Sequence, residues 1–176
     1  SGTRLSVIFG LTMFNIPIDP RIEGLPNKLL LDMLKRLNGN LRTGEFLAVT
    51  QDLNRDLSLM KSLYGEQEEL WLNVLHRVKR DLPVSDDFDP TAFGYEVSWI
   101  SKTNASVRSY VVKKDMEFML GDEHFKLKSG QRFFLHNAFK PSAEEFVDIA
   151  KQAGLRQTHT ATNDNGRMAL HMFEHK

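Results

Sequence analysis

Apolar positions change their spacing three times along this chain. Near the start, Leu5-Ser6-Val7-Ile8-Phe9 is almost continuously apolar, and Gly10 follows at once. A short run of β-branched and aromatic residues reads as a strand buried on both faces, as in a parallel α/β sheet. A loop punctuated by Pro17 and Pro20 comes next. Leu30, Met33, Leu34 and Leu37 then recur at helical spacing after a start near Pro26, and Asn38-Gly39-Asn40 supplies the stop. Glu45 to Thr50 reads as a second buried strand. Strand, helix and strand in that order predict a right-handed crossover between parallel strands.

The second texture is helical and then β. Residues 52–63 form a polar helix-like segment ending at Tyr64-Gly65. Residues 66–82 predict an amphipathic helix with Leu70, Val74, Leu75 and Val78 on one face and Pro83 as its stop. In Asp86-Asp87-Phe88-Asp89-Pro90, Asp89 is placed to cap a short helical turn. Residues 95–137 carry five short strands, at 95–100, 107–112, 116–120, 124–127 and 132–136. Turns at Gly121-Asp122 and Ser129-Gly130 predict an antiparallel meander. The third texture is a helix over 142–153, with Phe146, Val147, Ile149 and Ala150 inward and Gly154 after it. Segments 155–162 and 168–173 then flank Asn163-Asp164-Asn165-Gly166, a strong hairpin signal.

Helical periodicity and a hairpin resume after the meander, so the middle of the chain reads as an insertion. Residues 1–52 and 141–176 are expected to form an α/β core, and 53–140 an inserted α+β lobe that binds substrate. The 66–82 helix and the meander are expected to sit over the carboxyl ends of the 5–9 and 45–50 strands. A core ending in a helix and an antiparallel hairpin is the ending expected of the Rossmann-like fold of S-adenosylmethionine (SAM)-dependent methyltransferases.

Composition narrows the partners. The 176 residues include 23 Lys plus Arg and 23 Asp plus Glu, a net charge of zero. That balance argues against a general electrostatic grip on nucleic acid or an anionic membrane. There is no cysteine, hence no disulfide, thiol nucleophile or Cys-ligated zinc. Leu5 to Phe14 lacks a small-x-small cleavage site and is too short to span a bilayer, so a cytoplasmic protein is expected. P-loop, Gly-x-Gly-x-x-Gly, His-Glu-x-x-His and Gly-x-Ser-x-Gly motifs are all missing. His159, His171 and His175 read as separate packing or surface residues, and the aspartates at 86, 87 and 89 as turn caps rather than a metal site.

Ligands of open α/β sheets bind outside the carboxyl ends of the strands, which makes Gly10 to Asn15 the first place to look. That stretch, Gly10-Leu11-Thr12-Met13-Phe14-Asn15, resembles the loop after the fourth strand of the histidine-specific Nα-methyltransferases, SAM-dependent enzymes of ergothioneine biosynthesis. Asp52-Leu53, Tyr64, Asn73-Val74-Leu75, Asp87-Phe88-Asp89 with Ala92-Phe93, and Gly154 to His159 resemble the family in the same order. The resemblance implies that Asn15 binds the amino group of an amino-acid substrate and that Tyr64 covers it. Gly10 and Leu11 would be this chain's share of the SAM pocket.

Two departures alter the expected specificity. Where family members that recognise histidine carry a Glu and then a Ser, this chain has His136 and Ala138. Where they carry a Met near the side-chain pocket, it has Arg108. His136 and Arg108 suit an acidic or polar group better than a protonatable imidazole, so an acceptor other than histidine is expected. A further departure is the fold's first half: the glycine-rich loop and acidic residue that hold SAM lie in its first three strands, and this chain begins at the fourth. The expectation is part of a methyltransferase acting on an amino acid or small amine, with weak or no SAM binding by this chain alone. The alternative is a non-catalytic binding or assembly module derived from that fold. The apolar edge at residues 5–9 is expected to be covered by a second copy, as a homodimer, or by the missing N-terminal half.

Overall fold

The structure, a computed structural model, describes residues 3–10, 12–16, 19 and 21–175. The chain divides into two compact units. The first comprises Ser1–Arg55, Trp99–Ser106 and Asn137–Lys176, and the second comprises Asp56–Ser98 and Val107–His136.

The first unit is built on a four-stranded mixed sheet. Its strands are β1 (Leu5–Ile8), β2 (Phe46–Asp52), β8 (Leu155–Thr162) and β9 (Met168–His175), in the order β1-β2-β9-β8. β1 runs parallel to β2, as expected for strands joined through a helix; β9 is antiparallel to both β2 and β8. The joining helix is α1 (Leu25–Asn38), with Pro26 in its first turn, where its missing N–H costs nothing. The helix α4 (Ala143–Gln152) packs on α1 and β8. Leu30 and Leu34 of α1, Leu47 and Val49 of β2, Phe146 of α4 and Phe173 of β9 are buried in one core. The closing hairpin forms as read: Asn163 accepts backbone N–H bonds from Arg167 and Met168 through its side chain, fixing the turn.

β1 is not buried on both faces. Leu5 and Val7 are about half exposed, and Phe9 beyond its end is 66% exposed. β1 is the edge strand of the described sheet and joins the core through Ile8 alone. Period-2 geometry turns Leu5 and Val7 to the other face.

In the second unit, α2 (Leu57–Gly65) and α3 (Glu68–Asp81) precede the strands. α2 starts five residues later than the polar segment suggested. β2 runs on through Asp52, and Asp56 takes the cap position, accepting from the N–H groups of Ser58 and Leu59. On α3 the core-facing stripe is Leu75, which is buried, flanked by the half-buried Trp71, Leu72 and Val78. Leu70 and Val74, expected to share it, are exposed because the helix faces the core about one position further round.

The single meander also needs correcting. The strands are β3 (Phe93–Ile100), β4 (Ala105–Val112), β5 (Met116–Leu120), β6 (Glu123–Leu127) and β7 (Arg132–Phe139). β4 has β3 and β7 as its neighbours, while β5 and β6 form a separate antiparallel hairpin. The reason lies at the end of β4. Val112 exchanges backbone hydrogen bonds with Gly130 and Gln131, and Asp115 accepts from Ser129 N–H and pairs with Lys128. These contacts close the stem and pinch off residues 116–127. The core of this unit gathers Leu75, Phe88, Phe93, Tyr110, Val112 and Leu127.

Candidate functional site

In the first unit, the loop after β1 is pinned at both ends. Gly10 adopts a positive φ of 77°, a conformation glycine takes without penalty. Its carbonyl accepts from the Thr50 hydroxyl at 3.0 Å. A turn of 3-10 helix follows over Thr12–Phe14 and buries Met13 and Phe14 in the core, with the Phe14 ring edge-on to Phe146 at 5.2 Å. Those two anchors leave Asn15 half-buried at the loop's end. Apart from its chain neighbours, no atom of the described residues lies within 4 Å of where a Cβ on Gly10 would stand, so this side of the backbone is open. Leu11 falls outside the described residues.

Two polar clusters brace the same unit. Lys140 is 1% exposed and pairs with Asp52 at the end of β2. The Lys140 carbonyl accepts from Arg55, which also pairs with Glu145. His171 is fully buried and sits in a directional chain of hydrogen bonds. Gln157 donates to the Thr160 hydroxyl, which reaches His171 Nδ1 at 3.1 Å; His171 Nε2 lies 2.8 Å from Gln51 Oε1; and Gln51 donates to the Pro141 carbonyl. Since Gln51 presents its oxygen, His171 must carry its proton on Nε2. His175 meets the Asn38 side chain. His171 and His175 therefore take separate structural partners, His159 is exposed, and no cluster of metal-ligating side chains occurs among the described residues.

The second unit brings together three of the residues singled out from sequence. Arg108, in the middle of the central strand β4, is 5% exposed. Its guanidinium lies over the Tyr64 ring, 3.9 Å from the centroid. His136, at the β7 end of the unit, is close enough to feel that charge: burial, and then the Arg108 cation, push its pKa below the usual imidazole value. Both effects favour the neutral imidazole. Tyr95 of β3, which the sequence reading passed over, joins them; burial raises its phenol pKa, and the nearby Arg108 charge opposes that rise.

What this cluster lacks is an anion. Among the described residues Arg108 forms no salt bridge, and its Nε and Nη1 are buried without a hydrogen-bond partner, as is the Tyr95 hydroxyl. The stacked Tyr64 returns about 2 kcal/mol or somewhat more. An unpaired charge taken out of water costs several kcal/mol, so the stack does not offset the burial. A buried, uncompensated arginine is thus costly for the fold, which makes Arg108 a candidate functional position.

Taken as α/β architecture, the closing helix and hairpin beside a parallel β-α-β unit define the SAM-dependent methyltransferase fold. A crystal structure of a SAM-dependent methyltransferase from Clostridium acetobutylicum shares it, with a TM-score of 0.50 and 11% identity, over 99% of this chain and 60% of that one. A family model described as histidine-specific, SAM-dependent methyltransferase matches residues 3–175, and the chain belongs to that family. The uncharacterized protein y4iF of Sinorhizobium fredii is 33% identical over 171 residues, 96% of this chain and 55% of its own length. The histidine N-alpha-methyltransferase of Mycolicibacterium smegmatis is 29% identical over 184 residues, 96% of this chain and 51% of its own. The chain thus spans about half the length of these curated relatives. No helix among the described residues is long and apolar enough to cross a membrane.

Proposed function

We propose that this chain is part of a SAM-dependent methyltransferase that N-methylates an amino acid or related small amine other than histidine. The observation that carries the change of acceptor is the buried Arg108, whose Nε and Nη1 have no hydrogen-bond partner among the described residues. A protonated imidazole would meet like charge there.

Each residue has a task that its own chemistry allows. SAM, when bound, supplies a methyl group already activated by its sulfonium, and the open backbone at Gly10 fits contact with such a ligand. The protein must then hold a neutral amine with its lone pair correctly aimed. The Asn15 side-chain carbonyl can accept an amine N–H and so set the lone-pair direction. Tyr64 holds the Arg108 guanidinium by its face, which leaves the guanidinium edges free for hydrogen bonds in plane. The apolar edge at β1 is proposed to be covered by the segment that the relatives have beyond the length matched here, with a second copy of the chain as the other candidate. SAM affinity of this chain alone is expected to be weak, and the intracellular setting that such a cofactor needs suits a cytoplasmic enzyme.

The test is transfer from labelled SAM by the intact gene product, across the amino acids and simple amines, read by mass spectrometry. Methylation of a non-histidine acceptor at a higher kcat/KM than histidine is the expected result. Preference for histidine defeats the proposed specificity. No transfer to any amine defeats the enzyme reading and leaves a binding module.

A further inference from the structure

The second unit contains four arginines, and their pairing is the reverse of what stability alone would select. Arg77 and Arg80 pair with Asp81, and Arg132 pairs with Glu96; all three are exposed, where an ion pair contributes little. Arg108, the buried one, has no acidic partner among the described residues. Buried charges in native proteins are paired, so an unpaired one implies a counter-charge that arrives from outside the chain.

The geometry says what that counter-charge looks like. The face of the guanidinium is taken by the Tyr64 ring, 3.9 Å away, and cannot be approached there by a second ring. The unpartnered donors, Nε and Nη1, lie in the guanidinium plane, and the Tyr95 hydroxyl, near enough for Arg108 to lower its pKa, makes no well-formed hydrogen bond either. In-plane N–H donors and one O–H donor suit a planar oxyanion. By contrast, the hydroxyl of Tyr110, further along the same strand, is spent on the Trp71 carbonyl. Burial and the Arg108 charge both disfavour a second cation at His136, and a neutral imidazole can either donate or accept. The carboxylate whose field reaches Tyr95 is Glu68, which lies exposed on the first turn of α3 and makes no ion pair with Arg108.

We propose that Arg108 is the receptor for a carboxylate of the methyl acceptor, with the Tyr95 hydroxyl and His136 completing the carboxylate's hydrogen-bond shell and Tyr64 holding the guanidinium in place. The methyl-acceptor part of this assignment rests on the function proposed above. The carboxylate is either the α-carboxylate of an amino acid or a distal one on an acidic acceptor.

Calorimetry on the intact gene product separates these sources. L-glutamate carries both carboxylates, L-glutamine the α-carboxylate alone, 4-aminobutanoate the distal one alone, and 1,4-diaminobutane neither. The wild type should bind at least one of the three carboxylates at millimolar concentration. Arg108→Met should weaken that binding about tenfold or more, while leaving 1,4-diaminobutane unchanged. Arg108→Lys should recover part of the loss. Thermal melting guards against misfolding: without ligand, Arg108→Met should melt no lower than the wild type, because it removes an unpaired buried charge. The carboxylate that binds should raise the wild-type midpoint and not the variant's. Equal binding of every carboxylate by wild type and Arg108→Met overturns the proposal, as does a wild type that binds none of them. Carboxylate binding through Arg108 without methyl transfer would leave this assignment standing and defeat the function proposed above. Methyl transfer that is indifferent to Arg108 would do the reverse.

Discussion

His171 shows how one side chain fixes a local arrangement and ties it to pH. Its proton sits on Nε2 facing Gln51, Thr160 meets its other nitrogen, and the Phe146 and Phe173 rings surround it. Burial pushes its pKa below the ordinary value of 6.5. In the unfolded chain that value is restored, so as pH falls through about 6.5 the unfolded state takes up a proton that the fold refuses. Stability is then lost on the acid side, and His136, shifted the same way by burial, adds to the loss. Urea midpoints should therefore drop between about pH 7.5 and pH 5.5, and His171→Gln should flatten part of that slope. A midpoint constant over this range, or a slope unchanged in His171→Gln, would remove His171 as its source. Arg108 was read from sequence as a departure from a family pattern, but its burial was not legible there. Arginine is rarely buried, and only the central place of β4 in its sheet takes this one out of water.

Among the elements, α4 is the one most completely specified by local sequence. Ser142 accepts from the Glu145 N–H at 3.0 Å and Glu145 accepts from the Ser142 N–H, a full capping box. Phe146, Val147, Ile149 and Ala150 then supply the buried face, and Gly154 ends the segment with φ 84°. Ser142→Ala should destabilise the chain by about 1 kcal/mol in urea titration, with an unchanged m-value. A loss below a few tenths would mean that Glu145, which also pairs with Arg55, holds the helix start by itself. Helices and the final hairpin were legible because their signals lie within a few residues of one another. The partners of β4 were not, because alternation identifies a strand without naming its neighbour. Here the decision fell to Asp115, Lys128 and Ser129, which join across thirteen or more residues. The exposed Leu70 and Val74 show the same limit on a helix. Two adjacent apolar stripes were both compatible with the 3.6 period, and packing of Trp71 and Leu75 chose between them.

At the scale of the whole molecule, the open question for stability is β1. It pairs with β2 on one side, and Leu5, Val7 and Phe9 leave a row of apolar side chains exposed beside its other edge. Native proteins cover or charge such edges. Ile8 is a poor probe of what covers this one, because it packs on the core of the first unit and a lysine there would damage the fold itself. Val7, 44% exposed, separates the two effects. In the 176-residue chain alone, Val7→Lys should leave the melting midpoint within a degree or two and reduce self-association by size-exclusion chromatography with light scattering. If a segment of the kind the longer relatives have covers β1, the same lysine in the protein carrying that segment would be trapped beneath it, and a buried unpaired ammonium should cost several kcal/mol in urea titration. A chain that is a stable dimer alone and becomes monomeric in Val7→Lys would assign the edge to a second copy instead. Tolerance of Val7→Lys in both forms, with no change of assembly in either, would show that nothing covers β1 and would remove its edge from the proposed assembly.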